Sequence, residues 1–163
     1  NVYGIIANPV CTEFSTINGF DKTNDLDKGM FLVNHCLRII KEANPTFWVI
    51  ENPFLGRLKE VIGKPRYIYQ PWQFGSPWTK KTALWGNFTM PPVLYKTWED
   101  CPTRIPHLWI KQGRNKPSLA HQHKSAIYYI DELYGFVDTI SSDMEFRSLC
   151  SKRFAKQFKE VNP

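Results

Sequence analysis

The chain has 163 residues, 42% of them hydrophobic and 15% aromatic, and 21 Lys and Arg against 15 Asp and Glu give it a net charge of +6. That length supports one domain with a real core, and the composition excludes a low-complexity chain. No apolar run approaches the roughly 20 residues that a membrane-spanning helix needs, and the four cysteines, Cys11, Cys36, Cys101 and Cys150, lack the paired spacing of a disulfide framework.

The first element is a short buried strand over Ile5, Ile6 and Ala7, ended by Asn8-Pro9 because proline has no N–H to continue a ladder. Cys11 follows directly, just past the strand's carboxyl end. In an open α/β sheet that edge is where ligands bind, although free cysteine is also a commonly buried small residue. After a polar segment, "TINGFDKTND", a helix is expected from Leu26 to Ala43, because Met30, Val33, Leu37 and Ile40 recur at spacings of three and four. Asn44-Pro45 ends it. The run Phe47 to Ile50 then repeats the opening pattern, a β-branched strand closed by Glu51-Asn52-Pro53. A helix joining two such strands predicts a parallel βαβ unit, which brings Cys11 and Glu51 to one crevice.

Further on, "YIY" at 67–69 and "TALWGNF" at 82–88 predict strands, with the loop "QPWQFGSPWTKK" between them. Pro91, Pro92, Pro102, Pro106 and Pro117 break up the next region into an inserted, loop-rich segment. The end of the chain, "CSKRFAKQFKEVNP", predicts an amphipathic helix with Phe154, Phe158 and Val161 on one side. Basic residues collect between Lys80 and Lys124: Lys80, Lys81, Lys96, Arg104, Lys111, Arg114, Lys116 and Lys124. Trp85, Trp98 and Trp109 are interleaved with them, a mixture that suits either nucleic-acid contact or a solvated face over an aromatic core.

A cysteine and a carboxylate at neighbouring strand ends allow several chemistries. A papain-like hydrolase needs a histidine base, and His35, His107, His121 and His123 fit no motif for one. Zinc held by Cys101, His107, His121 and His123 lacks the usual ligand spacing. The third option is thiolate addition to a heterocycle, with a carboxyl group hydrogen-bonding a ring nitrogen so that the ring accepts electrons.

The motifs "NPVCTEFS" and "WVIENP" resemble the Pro-Cys catalytic loop and the Glu-Asn strand end of DNA cytosine-5 methyltransferases. Phage-encoded members show the strongest likeness, through Asn8 to Thr12, Trp48 to Pro53, Gln73 to Trp85 and Arg147 to Pro163, four motifs in the family's order across nearly the whole chain. Val10 replaces the proline usual before the cysteine, and Pro53 the valine common after Glu-Asn. The resemblance implies an α/β fold, the C-terminal part of a Rossmann-like methyltransferase sheet. Residues 1–89 would form the catalytic core, 90–125 a short target-recognition insertion, and 126–163 the return to the core with a terminal helix.

It further implies methyl transfer from S-adenosylmethionine to carbon 5 of cytosine in DNA. Cys11 takes the place of the nucleophile that adds to carbon 6 of a flipped base, Glu51 that of the acid on the ring's N3 and amine, and Asn52 holds the loop. Lys80 and Thr82 stand where the family has paired arginines near base and phosphate, so Lys80 or Lys81 supplies positive charge there. The family's glycine-rich cofactor loop is expected upstream of the Cys loop and is missing, which implies a fragment or split subunit whose cofactor portion is a preceding segment or a separate chain. No residue here is assigned to the cofactor. The expected location is the cytoplasm, or the host's if the protein is phage-encoded. The rival is a DNA-binding or interaction protein that keeps the motifs as architecture; RNA cytosine-5 methyltransferases use a different cysteine arrangement.

Overall fold

A computed structural model describes residues 2–15 and 25–163. The chain divides into two compact units, one of residues 1–69 and 81–88, the other of residues 70–80 and 89–163. No helix among the described residues is long and apolar enough to cross a membrane.

The first unit is a mixed four-stranded sheet covered by a long helix. Its elements are β1 (Gly4–Ala7), a 3₁₀ turn (Thr12–Phe14), α1 (Leu26–Ala43), β2 (Phe47–Pro53), α2 (Leu58–Val61), β3 (Tyr67–Tyr69) and β4 (Thr82–Asn87). α1 starts where Asp25 accepts the Lys28 N–H through its side chain, and it stops at Asn44, whose left-handed conformation returns its N–H to the Ile40 carbonyl. The expected stripe is its buried side: Val33 and Ile40 lie in the core with Met30 and Leu37 packed against it. Gly29 lets this helix approach the 3₁₀ turn, since a Cβ there would stand 2.9 Å from both Glu13 Cβ and Phe14 Cζ.

The strands run in the order β1-β2-β4-β3, with β1 and β3 at the margins. β1 and β2 are parallel, Ile5 opposite Trp48 and Ala7 opposite Ile50, as a helical crossover demands. β4 runs antiparallel to both of its neighbours, so the α/β sheet is mixed. Ile5, Ala7, Trp48, Ile50, Ala83 and Trp85 share the face that packs with α1, Phe14 and Leu58. β2 continues three residues past the predicted Ile50, carrying Glu51 and Asn52 within the ladder opposite Leu84 and Ala83. Gly86, at φ +143°, permits the β2–β4 pairing, because a Cβ would fall 2.1 Å from the Trp48 carbonyl oxygen.

The second unit has almost no strand pairing, only an isolated bridge between Thr79 and Ser118 among its described residues. Its core gathers Trp78, Leu108, Leu119, Ile127, Ile130, Leu133 and Phe146. Prolines at this density exclude long ladders, so the backbone runs through 3₁₀ turns at Pro71–Phe74, Leu119–His121, Lys124–Tyr129 and Asp131–Phe136. Two helices follow, α3 (Asp143–Ser148) and α4 (Lys152–Val161). Ser142 and Glu145 form a capping box on α3, and the Ser151 hydroxyl accepts the Phe154 N–H at the start of α4. Phe154 packs edge-on against Phe74 at 5.0 Å and tilts towards Phe158 at 5.6 Å, so the expected apolar side of α4 is its packing side. Residues 90–125 and 126–163 thus contribute to one core.

Candidate active site

The parallel register places the residues after Ala7 beside those after Ile50. Asn8 Nδ2 donates to Glu51 Oε2 at 2.7 Å, and the buried Asn52, 1% exposed, donates through Nδ2 to the Pro9 carbonyl at 2.9 Å. Successive strand residues point to opposite faces, so Asn52 lies on the α1 side with Ile50 while Glu51 lies on the other. One dipeptide therefore grips the loop twice.

Cys11 follows two residues after Pro9. It is half-buried, it precedes the Thr12–Phe14 turn, and its carbonyl accepts the Phe14 N–H at 3.0 Å. The Phe14 carbonyl in turn accepts the Arg57 N–H at 2.8 Å, and Arg57 stands at the start of α2. The loop carrying Cys11 is thus pinned on both sides of the cysteine to the chain that leaves β2. Three residues of chain separate Cys11 from Asn8, at most about 10 Å when fully extended. Cys11, Glu51 and Asn52 occupy one edge of the sheet, the carboxyl ends of two adjacent parallel strands.

This arrangement offers a thiol and a carboxylate at a strand-end crevice, with the carboxylate oriented by an amide donor. It can add a nucleophile to an electrophilic ring and hydrogen-bond that ring's polar edge. Asn52 Oδ1 is buried without a hydrogen bond among the described residues, an acceptor under the loop whose desolvation is uncompensated. Asn8 is the member the sequence reading missed, having been read only as a strand end. Its signal is the register itself, since the parallel pairing of Ala7 with Ile50 sets the next residue, Asn8, against Glu51.

The three residues expected on the substrate side, Lys80 or Lys81 as the positive charge and Thr82 beside them, are placed differently. Lys81 is exposed and belongs to the first unit; its carbonyl accepts the Phe54 N–H at 3.0 Å and its ammonium lies 4.2 Å from the Phe54 ring centre, three residues beyond Glu51. Thr82 is buried in β4 opposite Pro53. Lys80 belongs to the second unit, where its Nζ donates to the Ser148 and Leu149 carbonyls at 2.7 and 2.9 Å. Its charge serves the end of α3, where cations complement the helix carbonyls.

The remaining basic residues of the 80–124 stretch divide the same way. Arg104 donates to the carbonyls of Trp98, Cys101 and Thr103 and stacks over Trp98, Lys116 lies 5.7 Å from both Trp72 and Trp98, and Lys124 donates to the Ser141 carbonyl. The side chains of Lys96, Lys111 and Arg114 are exposed and make no hydrogen bond or ion pair among the described residues. Trp109, 54% exposed, tilts towards His121 at 6.1 Å. The His121 pKa is lowered, first by desolvation and then by the charges of Lys111, Arg114 and Arg147, which marks a positive field around an exposed aromatic ring. Comparison with protein-family models, curated proteins and solved structures finds no match for the chain.

Proposed function

We propose that this chain is the catalytic-loop part of a DNA cytosine-5 methyltransferase with a Rossmann-like sheet, and that it places Cys11 and Glu51 on either side of one cytosine. The observation that carries this reading is the double grip of the Glu51-Asn52 strand end on the Cys11 loop, Asn8 to Glu51 and Asn52 to Pro9. The motifs that contain Cys11 and Glu51 and the parallel register of β1 and β2 support the same pairing of these two residues.

The chain's own share of the reaction is an addition and an elimination. The Cys11 thiolate forms a bond to carbon 6 of the flipped base, and the ring's electron pair moves towards N3, where the Glu51 carboxyl group donates a hydrogen bond. Asn8 holds Glu51 in place, and Asn52 fixes the backbone from which Cys11 projects. Carbon 5 then takes up an electrophile, a proton from water in the exchange reaction; a base, here solvent water, removes the original carbon 5 proton, and its electron pair reforms the C5–C6 double bond as the thiolate leaves. S-adenosylmethionine supplies the methyl group when bound. No described residue is assigned to its cradle: Asn8 donates to Glu51, Asn52 donates to the Pro9 carbonyl, and Pro9 in the turn after β1 offers no N–H. Its contacts are assigned to a preceding segment or a separate chain; β1 is a marginal strand of the sheet among the described residues.

The test is exchange of the cytosine carbon 5 hydrogen. DNA labelled there with tritium should release label to water in the presence of the chain, and Cys11→Ser should stop the release because an alcohol is scarcely ionised near neutral pH. Unchanged release by Cys11→Ser defeats the assignment of Cys11. DNA binding without exchange favours the second reading, a non-catalytic DNA-binding protein, which the exposed Trp109 among Lys111 and Arg114 supports.

A further inference from the structure

The first unit holds a cleft of about 440 Å³ on the α1 side of its sheet. It is lined by Trp48, Ile50 and Trp85 from the strands, by Leu37 of α1, and by Ile62. Trp48 lies three residues before Glu51, about 10 Å back along β2, and Ile50 and Trp48 face the α1 side while Glu51 faces the other. Lys64 and Arg66, from the segment between α2 and β3, complete the lining. We propose that this cleft binds a small aromatic anion, its ring against the tryptophan-lined wall and its acid group between Lys64 and Arg66.

Three observations converge on that chemistry. The wall is apolar and fixed: Trp85 Nε1 donates to the Gly63 carbonyl at 2.8 Å, so the indole's only polar atom is satisfied within the fold. Its volume lies within the range of about 300–1,000 Å³ usual for small-molecule sites. The charges are positive and unopposed, for no acidic residue among the described residues lines the cleft.

The two cations differ usefully. Arg66 is held by Nη1, which donates to the Gly86 carbonyl at 3.2 Å and to Asn87 Oδ1 at 3.4 Å, and its guanidinium stacks 5.3 Å from the Phe88 ring centre. Its Nε and Nη2 make no hydrogen bond among the described residues and are available to a carboxylate. Lys64 is exposed and makes no ion pair or hydrogen bond among the described residues, so it can close over the acid group from its flexible stem. An apolar wall beside two uncompensated cations favours a ligand with one flat apolar body and one negative end.

The probe is 2-naphthoate, a two-ring carboxylate, with the uncharged 2-naphthamide as its comparator, followed by amide and indole NMR shifts of the whole chain. 2-Naphthoate should shift the Trp85 indole and the Ile62 and Gly86 amides together, with a Kd of about 1 mM or below. The amide should bind at least tenfold more weakly, since only the anion meets the cations. Lys64→Gln with Arg66→Gln should weaken 2-naphthoate binding about tenfold while leaving the rest of the spectrum in place, because both side chains are exposed. Equal binding of acid and amide overturns the proposal, as does retention of affinity by the double variant, a lack of binding, or shifts confined to the surroundings of Trp109. None of these readings depends on methyl transfer.

Discussion

Asn52 shows how much one side chain decides at the candidate site. Its amide supports the Pro9 carbonyl, yet its own oxygen is buried without a partner among the described residues, so part of what the hydrogen bond contributes is cancelled. Asn52→Ala should therefore cost only about 1 kcal/mol in urea unfolding, because the variant discards an orphaned acceptor along with the bond. The loop should respond more than the fold. Iodoacetamide should alkylate Cys11 several times faster in Asn52→Ala, while the exposed Cys150 reacts at its original rate and serves as the internal reference. An unchanged Cys11 rate would mean that the Asn8–Glu51 and Phe14–Arg57 contacts suffice to hold the loop. Cys11, Glu51 and Asn52 were legible because their chemistry and strand-end positions are written locally. Asn8 and Lys80 were not, because their partners lie 43 and 68 residues away along the chain.

At the scale of elements, periodicity located β1, α1, β2, β3, β4 and α4, each of which carries its apolar pattern within its own residues. The antiparallel insertion of β4 between β2 and β3 was not legible, since it is fixed by pairing across the chain and by Gly86, whose missing Cβ makes room for the Trp48 carbonyl. Gly86→Ala should lower stability by about 2–4 kcal/mol, because it adds both a clash with backbone and an unfavourable φ. A variant within 0.5 kcal/mol of the parent in urea would refute this register. The short elements of the second unit also escaped the sequence, being held by tertiary contacts. Among these is a buried network at the start of α4: Ser76 donates to Glu132 at 2.5 Å and lies 2.5 Å from the Ser151 hydroxyl, and Arg153 pairs with Glu132 at 3.4 Å. Burial outweighs these bonds and raises the Glu132 pKa above its ordinary 4.5. A raised carboxyl pKa contributes stability below the unfolded value and loses it as pH rises through the folded one. Glu132→Gln should therefore flatten the pH dependence of stability upward from pH 4.5, most visibly by gaining on the parent at higher pH. Glu145 has the opposite sign: hydrogen bonds from Ser141 lower its pKa, so the α3 cap is fully present above pH 4.5 and fails as pH falls through the folded value.

For the whole molecule, the net charge of +6 overstates what is offered to a polyanion. Of the basic residues between Lys80 and Lys124, Lys80, Arg104 and Lys124 donate to backbone carbonyls and Lys116 lies over tryptophan rings. In the second unit this leaves Lys96, Lys111 and Arg114, the last two in the positive field that depresses the His121 pKa beside the exposed Trp109. If these three neutralise phosphates, the log of DNA affinity should fall against log salt with a slope of about 2.7, at about 0.9 per contact. Counting the whole basic stretch instead would give a slope of about 7. Lys111→Gln with Arg114→Gln should reduce the slope by about 1.8, and Trp109→Ala should weaken single-stranded DNA by about 1–3 kcal/mol with the slope unchanged, since stacking releases no counterions. Lys116→Gln discriminates between the two counts: its charge is turned on Trp72 and Trp98, so the slope should stay the same, and a fall of about 0.9 would show that the cation–π cage opens to the phosphates.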